Sequence, residues 1–211
     1  MAFMARVRCS TRLGLVRTPL SNGAHRVRRA RRHGARGMLA GMRLEGSCQC
    51  GKVTFSVDSD TLYPYMNCYC SICRKCSGGA YGVNIMGKRA TLKVRGAKHL
   101  REYHARIRSK GKTKISEGAR VFCGECGTHL YLLDDRWPEG VWPNAGAIDT
   151  ELPVPPSHVH LMMNYKPAWV IAAGDGPHFP EYPKLSIADW HEQNGLTVTG
   201  AKPKRVAKKR K

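Results

Sequence analysis

The sequence has no apolar run near the roughly eighteen residues that cross a bilayer, and its densest late stretch, residues 169–173, is far too short to do so. Near the start there is no apolar segment followed by a small-residue cleavage site, so nothing marks a secreted, disulfide-bonded chain. The expected setting is a soluble protein in a reducing cytoplasm. Acid is missing from both ends: residues 1–41 carry ten arginines and no Asp or Glu, and residues 201–211 carry seven Lys or Arg and again no acid. Residues 42–200 carry nineteen basic against fifteen acidic side chains, so most of the net charge of +21 belongs to the ends. The middle is only mildly basic, which excludes a nucleic-acid domain built on charge alone.

Like charges repel, and neither end has a periodic apolar face to offset the entropy of ordering. The composition therefore predicts disordered basic tails over 1–41 and 194–211 around one domain at 42–193. Residues 26–33 and 202–211 suit weak, non-specific contact with nucleic acid or another anionic polymer through counterion release, and nothing in them reads bases. An acid-free, Arg-rich start also has the character of an organelle transit peptide, against which serine is sparse. The simplest reading is that the extension does nothing for the domain, whose functional start is Met38 or Met42.

Between the tails the apolar alternation has period two more often than 3.6, and turns cut it into short pieces. Strands are expected over 52–57, 90–94, 130–133 and 158–162, and a helical turn over 189–193. Residues 153–156 contain three prolines and cannot be helix interior. Segment 101–119, rich in Arg, Lys, Gly and Ser, reads as a basic loop or an exposed hairpin. There is no internal repeat beyond the cysteine pairs.

Eight of the nine cysteines fall into three clusters: Cys48-x-Cys50, then Cys68-x-Cys70-x2-Cys73-x2-Cys76, then Cys123-x2-Cys126. Thiols one or two residues apart make poor disulfide partners, whereas a tight turn converges two thiolates on one ion. Zinc is the ion expected, because the middle run lacks the ferredoxin spacing of an iron–sulfur protein. Cys123 and Cys126 form a zinc knuckle that needs two more ligands. Cys48 and Cys50, also followed by glycine, would supply them and staple the start of the domain to its middle, giving a closed structural site. The middle run leaves two outcomes. With Cys68, Cys70 and Cys73 alone the ion keeps an open position, as catalytic zinc does; with Cys76 added the site is closed.

Taken in order, Gly46-Ser-Cys-Gln-Cys-Gly51, Cys68-x-Cys70-x2-Cys73-Arg-Lys75 and Phe122-Cys-Gly-Glu-Cys-Gly127 resemble the glutathione-dependent formaldehyde-activating enzyme family, which includes centromere protein V. The resemblance covers residues 44–170. It implies a mainly β fold of several small coiled antiparallel sheets organised around zinc, with little helix. It also implies two zinc ions: a structural one on Cys48, Cys50, Cys123 and Cys126, and a catalytic one on Cys68, Cys70 and Cys73, with Cys76 outside the ligand shell. Two residues depart from the family pattern, Tyr69 at a position commonly histidine and Cys76 itself.

The reaction implied is a carbon–sulfur lyase reaction that forms or cleaves an S-hydroxymethylglutathione-like adduct of a small thiol and an aldehyde. Three thiolates overbalance the charge of the ion and make it a weak Lewis acid, so its main task would be to hold sulfur. Arg74 and Lys75 are candidates for offsetting that charge or for meeting a glutathione carboxylate. His129 is a candidate acid–base group that reads equally as a packed histidine. His158 and His160 share a strand face, Tyr69 and Trp169 read as packing residues, and Cys9 reads as a free thiol without a role. The competing reading is a zinc-stapled, non-catalytic binding module whose basic tails contact nucleic acid or another acidic partner.

Overall fold

The structure is a computed structural model that describes residues 41–193 apart from 61, 62, 110, 156 and 173. The readings of the two tails, of a start at Met38 and of Cys9 lie outside the described residues.

The elements in chain order are β1 (Met42–Ser47), β2 (Thr54–Ser59), β3 (Tyr65–Cys68), α1 (Ser71–Ser77), β4 (Gly82–Asn84), β5 (Gly87–Lys88) and β6 (Lys93–Arg95). They continue with β7 (Leu100–Ser109), β8 (Lys112–Cys123), β9 (His129–Leu133), β10 (Gly140–Pro143), β11 (His158–Leu161) and α2 (Ile187–Gln193). These strands make three sheets, in the orders β1-β2-β6, β5-β10-β9-β8-β7 and β11-β3-β4. The fold is mainly β, in small antiparallel sheets with little helix. The exception to antiparallel pairing is β11, which lies parallel to β3 and sets Leu161 beside Cys68.

Alternation decides which residues face inward. In β2, Phe55 and Val57 are buried and their neighbours less so; in β1 Leu44 is buried between two exposed residues. These side chains meet Val121, Leu130, Tyr131 and Val141 of the five-stranded sheet in the larger core, where Phe55 packs edge-on to Tyr131 with centroids 5.6 Å apart. Each fully buried aliphatic or aromatic side chain here contributes about 1.5–3 kcal/mol. A second, smaller core joins Cys68, Cys73, Val159 and Leu161, with Met66, Cys70, Met162 and Phe179 packed on it. One group of cysteines therefore belongs to each core.

The strands expected at 52–57, 130–133 and 158–162 are found with shifted ends, and segment 101–119 is a hairpin of β7 and β8. The strand expected over 90–94 is a correction: residues Arg89–Thr91 form a 3-10 turn and the strand begins only at Lys93. The cause is local. Thr91 Oγ1 donates to the Lys88 carbonyl at 2.9 Å and accepts from the Asp58 N–H at 2.9 Å, a side-chain pairing that competes with extended backbone. Among the described residues no helix is long and apolar enough to cross a membrane.

Candidate metal centres

The turn between β1 and β2 carries Cys48 and Cys50, and the turn between β8 and β9 carries Cys123 and Cys126. The fold brings these two turns together, with the four Sγ atoms all within 4.8 Å of one another. Each turn needs a residue in the left-handed region just after its second cysteine, and Gly51 (φ 72°) and Gly127 (φ 75°) supply it without the Cβ penalty. Backbone bonds tighten both loops: the Gly51 N–H donates to the Cys48 carbonyl at 2.9 Å and the Gly127 N–H to the Cys123 carbonyl at 2.8 Å. Cross-links run between the turns as well. The Gln49 N–H donates to Thr128 Oγ1 at 3.1 Å and Lys52 pairs with Glu125 at 3.0 Å.

The sulfurs already stand at metal-site spacing. An ion about 2.3 Å from each of four tetrahedral sulfurs sets them about 3.8 Å apart; here Cys48 and Cys50 are 3.5 Å apart, and Cys50 and Cys123 are 3.8 Å apart. All eight clustered cysteines are free thiols. Donors favour thiolate at two of the four sulfurs. Cys48 Sγ accepts the Val53 N–H at 3.2 Å, and the hydroxyl and N–H of Thr128 pull the Cys126 thiol down to about 5. The four residues fit a closed tetrahedral site for a thiophilic ion such as zinc.

The second group is Cys68, Cys70 and Cys73, whose Sγ atoms also lie within 4.8 Å of one another. Cys68 ends β3, Cys70 is the N-cap of α1, and Cys73 faces inward from its first turn. As cap, Cys70 Sγ accepts the Cys73 N–H at 3.3 Å. Cys68 and Cys73 are buried and Cys70 is half-buried. With all three left as thiols, hydrogen bonds from Cys68 and then Cys73 push the Cys70 thiol down, while the bonds of Cys68 to Cys70 and Cys73 push the Cys68 thiol up. Such a set is poised to exchange its protons for an ion and fits one with three protein ligands.

Cys76 sits one turn further along α1 and is not in this group. Burial pushes its thiol up, which keeps it protonated. Arg74 donates Nε–H to the Tyr69 carbonyl at 3.1 Å, and Lys75 is exposed. Neither sends a hydrogen bond to a sulfur among the described residues. Tyr69 is fully buried; its hydroxyl meets His160 Nδ1 at 2.9 Å and its ring lies 5.1 Å from that of Tyr81. His158 and His160 have rings 6.2 Å apart and join no group of three metal-ligating side chains among the described residues. His129 is buried, with both ring nitrogens unpartnered.

Trp169 is a second correction. The sequence reading places it in the core, yet it is 70% exposed, because the turn closed by the Val170 N–H on the Pro167 carbonyl (3.1 Å) buries Val170 instead. The residue that sequence reasoning missed is Arg120 of β8. It is 8% exposed, and its Nη2 donates to Cys73 Sγ at 3.8 Å. No local motif marks it, since its partner lies forty-seven residues away in the chain.

A model of the family described as glutathione-dependent formaldehyde-activating enzyme matches residues 43–164 of this chain. A Halomonas elongata protein, provisionally named a glutathione-dependent formaldehyde-activating enzyme, is 50% identical over 158 residues, which cover 74% of this chain and 98% of that protein. A crystal structure of a Rhodobacter sphaeroides protein aligns at a TM-score of 0.39 and 24% identity, over 52% of this chain and 91% of that one.

Proposed function

This chain belongs to the glutathione-dependent formaldehyde-activating enzyme family, and on that premise we propose that it is a zinc-dependent carbon–sulfur lyase. Its reaction forms and cleaves an S-hydroxymethylglutathione-like adduct. The thiol sulfur attacks the carbonyl carbon of formaldehyde, a C–S bond forms as the C=O π bond breaks, and the thiol proton ends on the new hydroxyl; cleavage is the reverse. The observation that carries the reading is the group of three sulfurs from Cys68, Cys70 and Cys73 with Cys76 left out of it. Three protein ligands are the set that leaves a tetrahedral ion one open position, and an ion bound there lowers the pKa of an incoming thiol.

The residues divide the work. Cys68, Cys70 and Cys73 would hold the second ion, while Cys48, Cys50, Cys123 and Cys126 would hold a structural one. Cys68 and Cys73 are buried within the smaller core, which limits the access of water to their sulfurs. The Arg74 guanidinium is steadied at Nε by the Tyr69 carbonyl, and together with exposed Lys75 it supplies positive charge that suits a carboxylate of glutathione. The small thiol and the aldehyde are the partners this chemistry requires.

The test is formaldehyde exchange with glutathione, followed by NMR with zinc-loaded protein. The protein should speed exchange above the uncatalysed rate, and Cys70→Ser should remove that acceleration while lowering the zinc content from two ions per chain to one. No acceleration by a protein that holds both ions would defeat the reaction and leave the non-catalytic binding module as the better reading.

A further inference from the structure

Arg120 poses a problem that the ligand set alone does not solve. It reaches from β8 to Cys73 of the smaller core; its Nε is buried without a partner, and it makes no ion pair within 4.0 Å among the described residues. The buried carboxylate on that side is already taken. Asp134 accepts from Arg136 Nε at 2.9 Å and from Nη2 at 2.6 Å, although Arg120 Nη1 and Asp134 Oδ2 both lie over Gly118, 3.1 and 3.2 Å from where a Cβ there would stand. A guanidinium keeps its proton at any ordinary pH, and a buried charge without a counter-charge is strongly disfavoured. What Arg120 does touch is sulfur, Cys73 Sγ at 3.8 Å. Among the described residues that sulfur is the group to which the guanidinium donates, and a divalent ion held by three cysteines would give it a net negative partner.

We propose that Arg120 is the counter-ion of the three-cysteine centre, a positioning residue that donates to Cys73 Sγ and offsets the surplus charge of the cluster. Three thiolates around a divalent ion leave one negative charge in excess, and one guanidinium cancels it. Surface cations perform this task poorly, because water screens them; Arg74 and Lys75 flank the cluster in sequence but send no hydrogen bond to its sulfurs. The inference rests on the functional reading above only in taking this centre to bind an ion, and it holds whichever thiol and aldehyde react there. Partners outside the ligand set commonly change metal affinity by about 10–100-fold, and that is the size of effect expected here.

The experiment is zinc competition against a chromogenic chelator at one pH, on the full chain carrying two ions, with no substrate present. In Arg120→Gln one ion should be released about 10–100-fold more readily than in wild type, while the other keeps its affinity and so reports an intact fold. Arg120→Lys, which restores the charge, should recover most of the loss. Unchanged affinity at both sites in Arg120→Gln would overturn the proposal, as would equal weakening of both ions, or an Arg120→Lys variant no better than Arg120→Gln. The formaldehyde assay is a separate readout. Failure there with both ions retained defeats the reaction and leaves the counter-ion in place, whereas a wild type that holds a single ion defeats both.

Discussion

His129 shows how a side chain beside a cysteine knuckle can belong to the buried interior. It lies three residues after Cys126, yet burial and then the nearby Arg120 charge pull its imidazole down to about 4 from an ordinary value of 6.5. A histidine held neutral in this way destabilises the fold in acid. Between pH 6.5 and 4 the unfolded chain binds a proton that the folded chain refuses, so stability rises with pH across that window and is lost as pH falls through it. A displacement of this size corresponds to about 3 kcal/mol. Urea unfolding of zinc-loaded protein at a series of pH values should show this slope in wild type, and His129→Gln should flatten it without changing stability above pH 7 by a comparable amount. Parallel curves for the two proteins would show that His129 titrates normally. Arg120 and His129 mark the limit of reading residues from sequence. The cysteines announce themselves by spacing, whereas a buried arginine is told from a surface one only by what the fold lays against it.

Elements show the same division. β2, β9 and β11 were legible as short apolar stretches of four to six residues cut by turns, β2 with the clearest alternation, and the basic hairpin of β7 and β8 was legible as one of two options. α1 was not, since the inward residue of its seven is Cys73, and a single buried position gives no helical period. What seats α1 is a glycine on another element: a Cβ at Gly82 of β4 would stand 2.9 Å from Ser77 Oγ and 3.1 Å from Cys73 Cβ. Gly82→Ala should therefore push α1 off the sheet by a few tenths of an ångström and move Cys73 away from Cys68 and Cys70. The expected result is weakening of one of the two zinc ions by about tenfold, in the range found when groups that orient ligands are altered. The other ion and the far-ultraviolet circular dichroism should stay as in wild type. Zinc competition measures this, and unchanged affinity at both sites would mean that the helix rides with its cysteines.

For the whole molecule the two cysteine groups differ in what each one ties. Cys48 and Cys50 end the β1-β2 ribbon, Cys123 and Cys126 end the β8-β9 ribbon, and these ribbons belong to different sheets that share the larger core. An ion on the four sulfurs closes a loop of more than seventy residues, since Cys50 and Cys123 are seventy-three apart in sequence. A preformed site is rarely present in an unfolded chain, so the free energy of binding there is folding free energy. Cys68, Cys70 and Cys73 lie within a stretch of six residues, where a helix and the end of one strand already set the geometry. Closing so short a segment adds little constraint. Two serine substitutions should then diverge. Cys123→Ser should lower the unfolding free energy by about 3–5 kcal/mol, the cost of opening a structural cross-link. In a chain of this size that corresponds to about 10–20 °C in melting temperature. Cys70→Ser should shift it by less than about 5 °C while removing one ion. Differential scanning calorimetry with zinc analysis of the same samples decides it. Equal losses in the two variants would assign both centres to the framework and take away the structural reason for separating a staple from a reactive site.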